Sequence, residues 1–216
     1  MASGDILHEQ HMPFVHVFFP TTAAVSLIAI LKDGGSAEIG LIGCEGMVGT
    51  SMLLGGIDAT RRAVVQCAGE GYCLKADVLN TEFEHSPGLL HLLLRYVQAL
   101  LIQTSQTAIC NRHHTVDQQL CRWLLLTLDR MTTNQVIMTQ ELIAQMLGVR
   151  REGVTAAAGK LQDAGLIQYS RGIITVLDRK GLEDRVCECY ETVKQETDRL
   201  VPMPIQPLRG GVSAAF

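Results

Sequence analysis

The residues best suited to chemistry lie in one stretch, Thr139-Gln140-Glu141-Leu142-Ile143-Ala144-Gln145-Met146-Leu147-Gly148-Val149-Arg150-Arg151-Glu152-Gly153-Val154-Thr155. Its pattern predicts two short helices hinged at Gly148, the second opening on Arg150, Arg151 and Glu152. A guanidinium can donate two hydrogen bonds to the O6 and N7 of guanine, and a carboxylate can accept from the amino group of cytosine. Two helices joined by a tight glycine turn can lay the second one in a major groove, where such side chains reach base edges. The chemistry implied is recognition of duplex DNA.

The elements that must position these groups fall into two kinds. Residues 14–75 read as short strands with glycine turns. Phe14 to Phe19 ends at Pro20, Val25 to Leu31 is apolar, and Asp33-Gly34 signals a hairpin before Glu38 to Ile42. A Gly-rich segment, Gly43 to Gly56, precedes strands at Arg62–Cys67 and Tyr72–Leu74. No βαβ rhythm is present, so a small sandwich or barrel is expected. Helices then take over: a short one at Asp77–Glu84, a long one from Pro87 to Arg112, and another from Val116 to Leu128 around the single tryptophan, Trp123. Thr132 to Gln135 reads as a polar loop, and Thr139 offers a hydroxyl cap. After the helix pair, Leu166–Tyr169 and Ile173–Leu177 read as a hairpin around Ser170-Arg171-Gly172. A last helix is expected at about Lys180 to Val201, before a Pro/Gly/Ala tail expected to be disordered.

In the long helix, Leu90, Leu93 or Leu94, Val97, Leu100 or Leu101, Thr104 and Ala108 fall near heptad spacing. One reading is an amphipathic helix packed on its own domain. The other, preferred because groove-reading helix pairs work as two-fold dimers, is a helix paired with its own copy.

The formal net charge of −4 looks wrong for a partner of DNA, but its distribution matters more. Residues 1–111 carry −5, residues 112–180 carry +3, and residues 181–216 carry −2, so the basic third holds the helix pair. Charged residues make up 19%, below the usual quarter, and the core is aliphatic. The seven cysteines, Cys44, Cys67, Cys73, Cys110, Cys121, Cys187 and Cys189, are irregularly spaced with no secretory signal ahead of them. Reduced thiols in a cytoplasmic protein are expected. The most apolar run, Leu89 to Ile102, is too short to span a bilayer and holds His91, Arg95 and Gln98, so no membrane association is expected.

This order of elements resembles the Crp/Fnr family of bacterial transcription regulators over nearly all of residues 6–200. The most specific parts are Leu147-Gly148-Val149-Arg150-Arg151-Glu152-Gly153-Val154-Thr155 and Ala164-Gly165-Leu166-Ile167-Gln168-Tyr169-Ser170-Arg171-Gly172-Ile173-Ile174-Thr175-Val176-Leu177-Asp178. The resemblance implies an α+β chain. A cyclic-nucleotide-binding-like β-roll (a jelly roll) would occupy residues 1–86 and a dimerisation helix 87–112. A winged helix-turn-helix would occupy 113–200, with a tail at 201–216. It implies a homodimer on a palindromic operator, with duplex DNA and RNA polymerase as partners and no enzymatic activity. Arg151 and Glu152 match the family's base-reading pair, and Thr155 lies one turn on. A third family arginine corresponds to Ala156. Thr139, Gln140, Arg150, Lys160 and Arg171 are candidate phosphate contacts. At Arg150 a cation opposes the helix dipole, which a phosphate would offset. The start also looks short, with Ile6 to Pro20 matching the family's first strands.

The effector site departs from the family pattern. Where nucleotide-binding members have Gly-Glu and then a loop ending Arg-Ser or Arg-Thr, this chain has Gly49-Thr50 and Arg61-Arg62-Ala63. The ribose-binding carboxylate is gone, and Glu45 belongs to the preceding turn. Thr50, Arg61 and Arg62 are therefore candidates for an unidentified effector rather than for cyclic AMP in the usual mode; the two arginines could suit an anion or form an exposed strand end. With no cysteine before Cys44, an N-terminal iron–sulfur cluster is not expected. Cys187 and Cys189 on one helix would point apart, as would His113 and His114, so no metal and no cofactor are assigned. No phosphate loop, nucleophile elbow or zinc-protease motif is found. The rival reading is a sensory protein acting through protein contacts, with a vestigial helix-turn-helix.

Overall fold

The computed structural model describes residues 1–201. The expected tail lies, from residue 202 on, outside the described residues.

The N-terminal part is a roll of two antiparallel sheets. The strands are β1 (Ile6–His8), β2 (His16–Pro20), β3 (Ala24–Ile30), β4 (Ser36–Ile42), β5 (Arg62–Cys67) and β6 (Gly71–Lys75). One sheet runs β1-β5-β3-β4 and the other pairs β2 with β6. The β3–β4 hairpin turns at Asp33-Gly34, where Gly34 takes a φ of 89°. Val17, Val25, Ile42, Met47, Val48 and Val65 fill the interior. Val17, Val25, Ile42 and Val65 on facing strands, with Met47 and Val48 from the loop after β4, explain why a segment with few aromatics still makes a core. A 3-10 turn, Thr50–Leu54, lies across the Gly-rich segment.

Helix α1 (Ala76–His85) leads into α2 (Pro87–His113), which has Pro87 in its first turn. Leu93, Tyr96 and Ala99 of α2 join the roll's core. Gln103 clamps the helix to the sheet: its Oε1 accepts from Leu41 N at 2.5 Å and its Nε2 donates to Leu41 O at 3.2 Å. Gly46 makes room for Tyr96, since a Cβ at that position would lie 1.9 Å from the phenol ring.

The second core is built on α3 (Val116–Leu128), which Thr115 and Gln118 start with a reciprocal capping box. Around it stand β7 (Gln135–Ile137), α4 (Gln140–Leu147), α5 (Arg151–Asp163), β8 (Ile167–Ser170) and β9 (Ile173–Val176). Trp123, Leu124, Ile143, Leu161 and Ile174 meet there, so Trp123 is a core residue as expected. β9 sits between β7 and β8 in a three-stranded sheet. Part of the segment read as a polar loop is therefore the edge strand β7, recruited by Ile174 opposite Val136.

The expected single last helix is two helices, α6 (Arg179–Glu183) and α7 (Glu188–Leu200). Asp178 caps α6 by accepting from Gly181 N at 2.9 Å, and Cys187 is the residue before α7. At its far end α7 delivers Leu200 and Val201 into the core of the roll. No described helix is long and apolar enough to cross a membrane.

Candidate nucleic-acid interface

Thr139 starts α4 by accepting from Leu142 N at 3.3 Å, and Gly148 ends it with a φ of 66°. This left-handed turn re-aims the chain so that α5 crosses α4. Val154, Ala157, Ala158 and Leu161 bury one face of α5 against α3 and α4. That phase leaves Arg150, Arg151, Glu152, Thr155 and Lys160 exposed. Arg150 precedes α5 and makes no side-chain cap.

Five of the eight candidate DNA residues line one cleft. Thr139 and Gln140 at the start of α4, Arg151 and Thr155 on α5, and Arg171 at the tip of the β8–β9 hairpin face it together. Thr155 Oγ1 donates to Gln140 Oε1 at 2.7 Å, tying the two helices. The hairpin is held to the body by Tyr169, whose hydroxyl donates to Met138 O at 2.8 Å. Arg171 adopts a φ of 52°, followed by Gly172 at 77°, the geometry of a tight turn with two left-handed residues. A side chain there costs about 1–2 kcal/mol relative to glycine.

The other three stand apart. Lys160 is engaged with Asp117, its Nζ 2.9 Å from Oδ2, and does not line the cleft. Arg150 and Glu152 border a second groove, between the α4–α5 turn and the β3–β4 hairpin of the roll. The two units touch here, with a Cβ at Gly148 falling 3.4 Å from Ala37 Cβ. Arg151 borders both concavities.

The roll holds a cavity of about 210 Å³ lined by Thr50 and Arg61, two of the three candidate effector residues. Arg62 turns away, its Nε 2.9 Å from Glu9 Oε1. The rest of the lining is mostly apolar and includes Phe14, Leu27, Ile39 and Leu54. No carboxylate is among the described lining residues, and Glu45 is engaged with Arg130. His8, which the motif-based reading missed, also lines it. Its Nε2 lies 2.7 Å from His16 O, and burial lowers its pKa. Val97, Leu100, Leu101 and Thr104 of α2 close the cavity.

Of the proposed dimer-helix positions, Leu93 is 6% exposed inside the protomer's own core, so Leu94 takes its place on the outer face. Val97 is also buried, and Leu90, Leu100 and Thr104 are half-buried. Leu94, Leu101 and Ala108 are exposed at seven-residue spacing, with Leu92 and Ile109 beside them. The heptad positions are therefore divided between the roll and an open face.

The cysteines are arranged differently from the sequence expectation, which is corrected at Cys187. This residue is not inside a helix but precedes α7 in extended backbone, φ −77° and ψ 163°. The rule that i and i+2 diverge does not apply to it. Cys110, His114, Cys187 and Cys189 bring their ligating atoms within 4.8 Å of one another.

A β-roll is thus joined by one long helix, α2, to a winged helix-turn-helix. Residues 118–185 match the family model of the Crp-like helix-turn-helix domain. FixK2 from Bradyrhizobium japonicum is similar over 86% of this chain and 94% of its own, with a TM-score of 0.73 and 17% identity. A CRP/FNR-family transcriptional regulator from Thermus thermophilus covers 88% and 96%, with a TM-score of 0.66 and 20% identity. The c-di-GMP responsive global regulator CLP from Xanthomonas campestris covers 82% and 91%, with a TM-score of 0.63 and 18% identity. No curated protein matches by sequence. The chain has the fold seen in Crp/Fnr transcription regulators, and its residues 118–185 are similar to the Crp-like helix-turn-helix domain.

Proposed function

We propose that this chain is a dimeric transcription regulator that reads a palindromic operator through Arg151 and Glu152. The observation that carries the reading is the convergence of Arg151, Thr155, Thr139, Gln140 and Arg171, from two helices and a wing, on one cleft. Arg151 supplies a bidentate donor for a guanine, and Glu152 an acceptor for a cytosine amino group. Thr155 extends the readout, while Thr139, Gln140, Arg150 and Arg171 hold phosphates and set register. Lys160 joins them only by leaving Asp117, and Arg150 and Glu152 only by leaving the groove they share with the β3–β4 hairpin.

Dimerisation uses the open face of α2, with Leu94, Leu101 and Ala108 packed against their copies. The effector occupies the cavity of the roll. Its lining favours a small, mostly apolar molecule with one anionic group for Arg61, and offers no carboxylate for a ribose hydroxyl. Leu101 is both a cavity wall and part of the open face, so occupancy acts on helix pairing and through it on the spacing of the recognition helices. RNA polymerase is the partner through which occupancy of the operator changes transcription.

Titration of duplex DNA at several salt concentrations tests the reading. Affinity that falls steeply as salt rises, as phosphate contacts require, supports it. Negligible, salt-insensitive binding favours a sensor that acts through protein contacts.

A further inference from the structure

We propose that Cys110, His114, Cys187 and Cys189 form a closed tetrahedral zinc site that joins the end of α2 to the start of α7. The four ligating atoms lie within 4.8 Å of one another. Cys110 Sγ is 3.6 Å from Cys187 Sγ, and Cys189 Sγ is 3.6 Å from His114 Nδ1. Zinc bonds of about 2.3 Å to sulfur and about 2.0 Å to nitrogen give tetrahedron edges of about 3.8 Å (S–S) and about 3.6 Å (S–N). Both of these observed edges are close to those lengths. Three thiolates and one imidazole are a donor set of structural zinc and exclude hard cations such as magnesium and calcium.

The surroundings are built for it. Cys110, Cys187 and Cys189 are 0%, 3% and 1% exposed, so the three sulfurs are shielded from water, while His114 is half-buried at the edge of the cluster. His114 Nε2 lies 3.4 Å from Glu188 Oε1, the outer carboxylate that fixes a metal-bound imidazole with Nδ1 free to ligate. Gln119 Nε2 donates to His114 O at 3.0 Å, holding the backbone that carries this histidine. Three thiolates, a neutral histidine and Zn²⁺ carry a net charge of −1. A buried cation stands nearby to answer it. Arg122 is 4% exposed and donates to Thr107 Oγ1 at 3.1 Å, one turn before Cys110. Its Nε has no hydrogen-bond partner, and among the described residues no carboxylate is within ion-pair distance. A buried guanidinium whose Nε is unpaired gains from an anionic metal cluster beside it.

The ligands flank the Crp-like domain match at residues 118–185 on both sides, so the site belongs to the helices that bracket that domain. The ion pins the α2–α3 joint and the first turn of α7 at one point. The inference is independent of the operator reading.

The test uses the full-length protein purified under reducing conditions and passed over a chelating column, followed by elemental analysis and native mass spectrometry. One zinc per chain is expected, with replacement by Co²⁺ giving tetrahedral d–d and thiolate charge-transfer bands. Cys187→Ser with Cys189→Ser should abolish both signals. Glu188→Gln, on an exposed side chain, should keep the helical circular dichroism and weaken zinc about 10–100-fold. Wild-type protein that binds no zinc or cobalt beyond the double variant overturns the proposal. Zinc affinity unchanged in the double variant overturns it too.

Discussion

Arg130 and Glu45 form a buried ion pair across the two cores, with Nε 2.7 Å from Oε1 and side chains only 6% and 8% exposed. Glu45 lies in the turn after β4 and Arg130 just beyond α3. Arg130 also donates to Leu126 O at 2.8 Å, and Glu45 Oε1 accepts from Gly43 N at 3.2 Å. The pair is therefore anchored at both ends, which is what makes losing one partner expensive. Arg130→Met should lower unfolding stability by about 3–5 kcal/mol in urea titration, because Glu45 is left as an unpaired buried charge. Replacing both with apolar residues should recover part of the loss.

Stability should also fall as pH rises through the mildly acidic range, because of Glu38. Burial pushes its pKa from an ordinary 4.5 up to about 7, against a hydrogen bond from Ser26 and the charges of Arg122 and Arg130. Ser26 Oγ lies 2.6 Å from Glu38 Oε2 and 2.7 Å from Gln66 Oε1, and its single proton cannot serve both. A protonated Glu38 donates to Ser26 and completes the chain. The folded state thus holds a proton that the unfolded state gives up near pH 4.5. Glu38's contribution is unimpaired below that pH and is lost progressively towards pH 7, by up to about 3 kcal/mol. Glu38→Gln should flatten this slope in unfolding measurements between pH 4.5 and 7. An unchanged slope would assign it elsewhere.

Arg171→Gly should separate stability from binding. Releasing the left-handed side chain should raise stability by about 1 kcal/mol. DNA affinity should drop about equally on all sequences, with the salt dependence shallower by about one counterion. A variant that is both less stable and unchanged in DNA binding would contradict the wing assignment.

The two faces of α2 predict opposite phenotypes for neighbouring leucines. Leu93→Ala removes a core side chain and should cost about 2–5 kcal/mol. Leu101→Lys changes an exposed residue and should leave the protomer folded while shifting sedimentation from dimer to monomer. A Leu101→Lys protein that remains fully dimeric would move the interface away from this face.

Much of this architecture is legible from local chemistry. Gly148 had to accept a left-handed turn, Thr139 a cap and Asp33-Gly34 a hairpin, and each does so. What escaped depends on distant partners. β7 is three residues long and is a strand only because Ile174 lies beside it. Lys160 and Arg62 look free in the sequence, yet Asp117 and Glu9, 43 and 53 positions away, hold them. The cysteine cluster was missed through one misplaced boundary. A helix begun near Lys180 separates Cys187 from Cys189, whereas a helix begun at Glu188 brings them together. The cavity's Thr50 and Arg61 could be found by motif, but the walls from α2 required the fold.

The central claim is that Arg151 reads a base. Selection of bound sites from random duplex DNA with the wild type and with Arg151→Ala tests it most directly. The wild type should enrich a two-fold symmetric site with half-sites about 34 Å apart. The variant should lose preference at one base pair in each half-site, at about 1–3 kcal/mol, and keep the rest. An identical site profile from both proteins, or no enrichment from the wild type, would contradict the account.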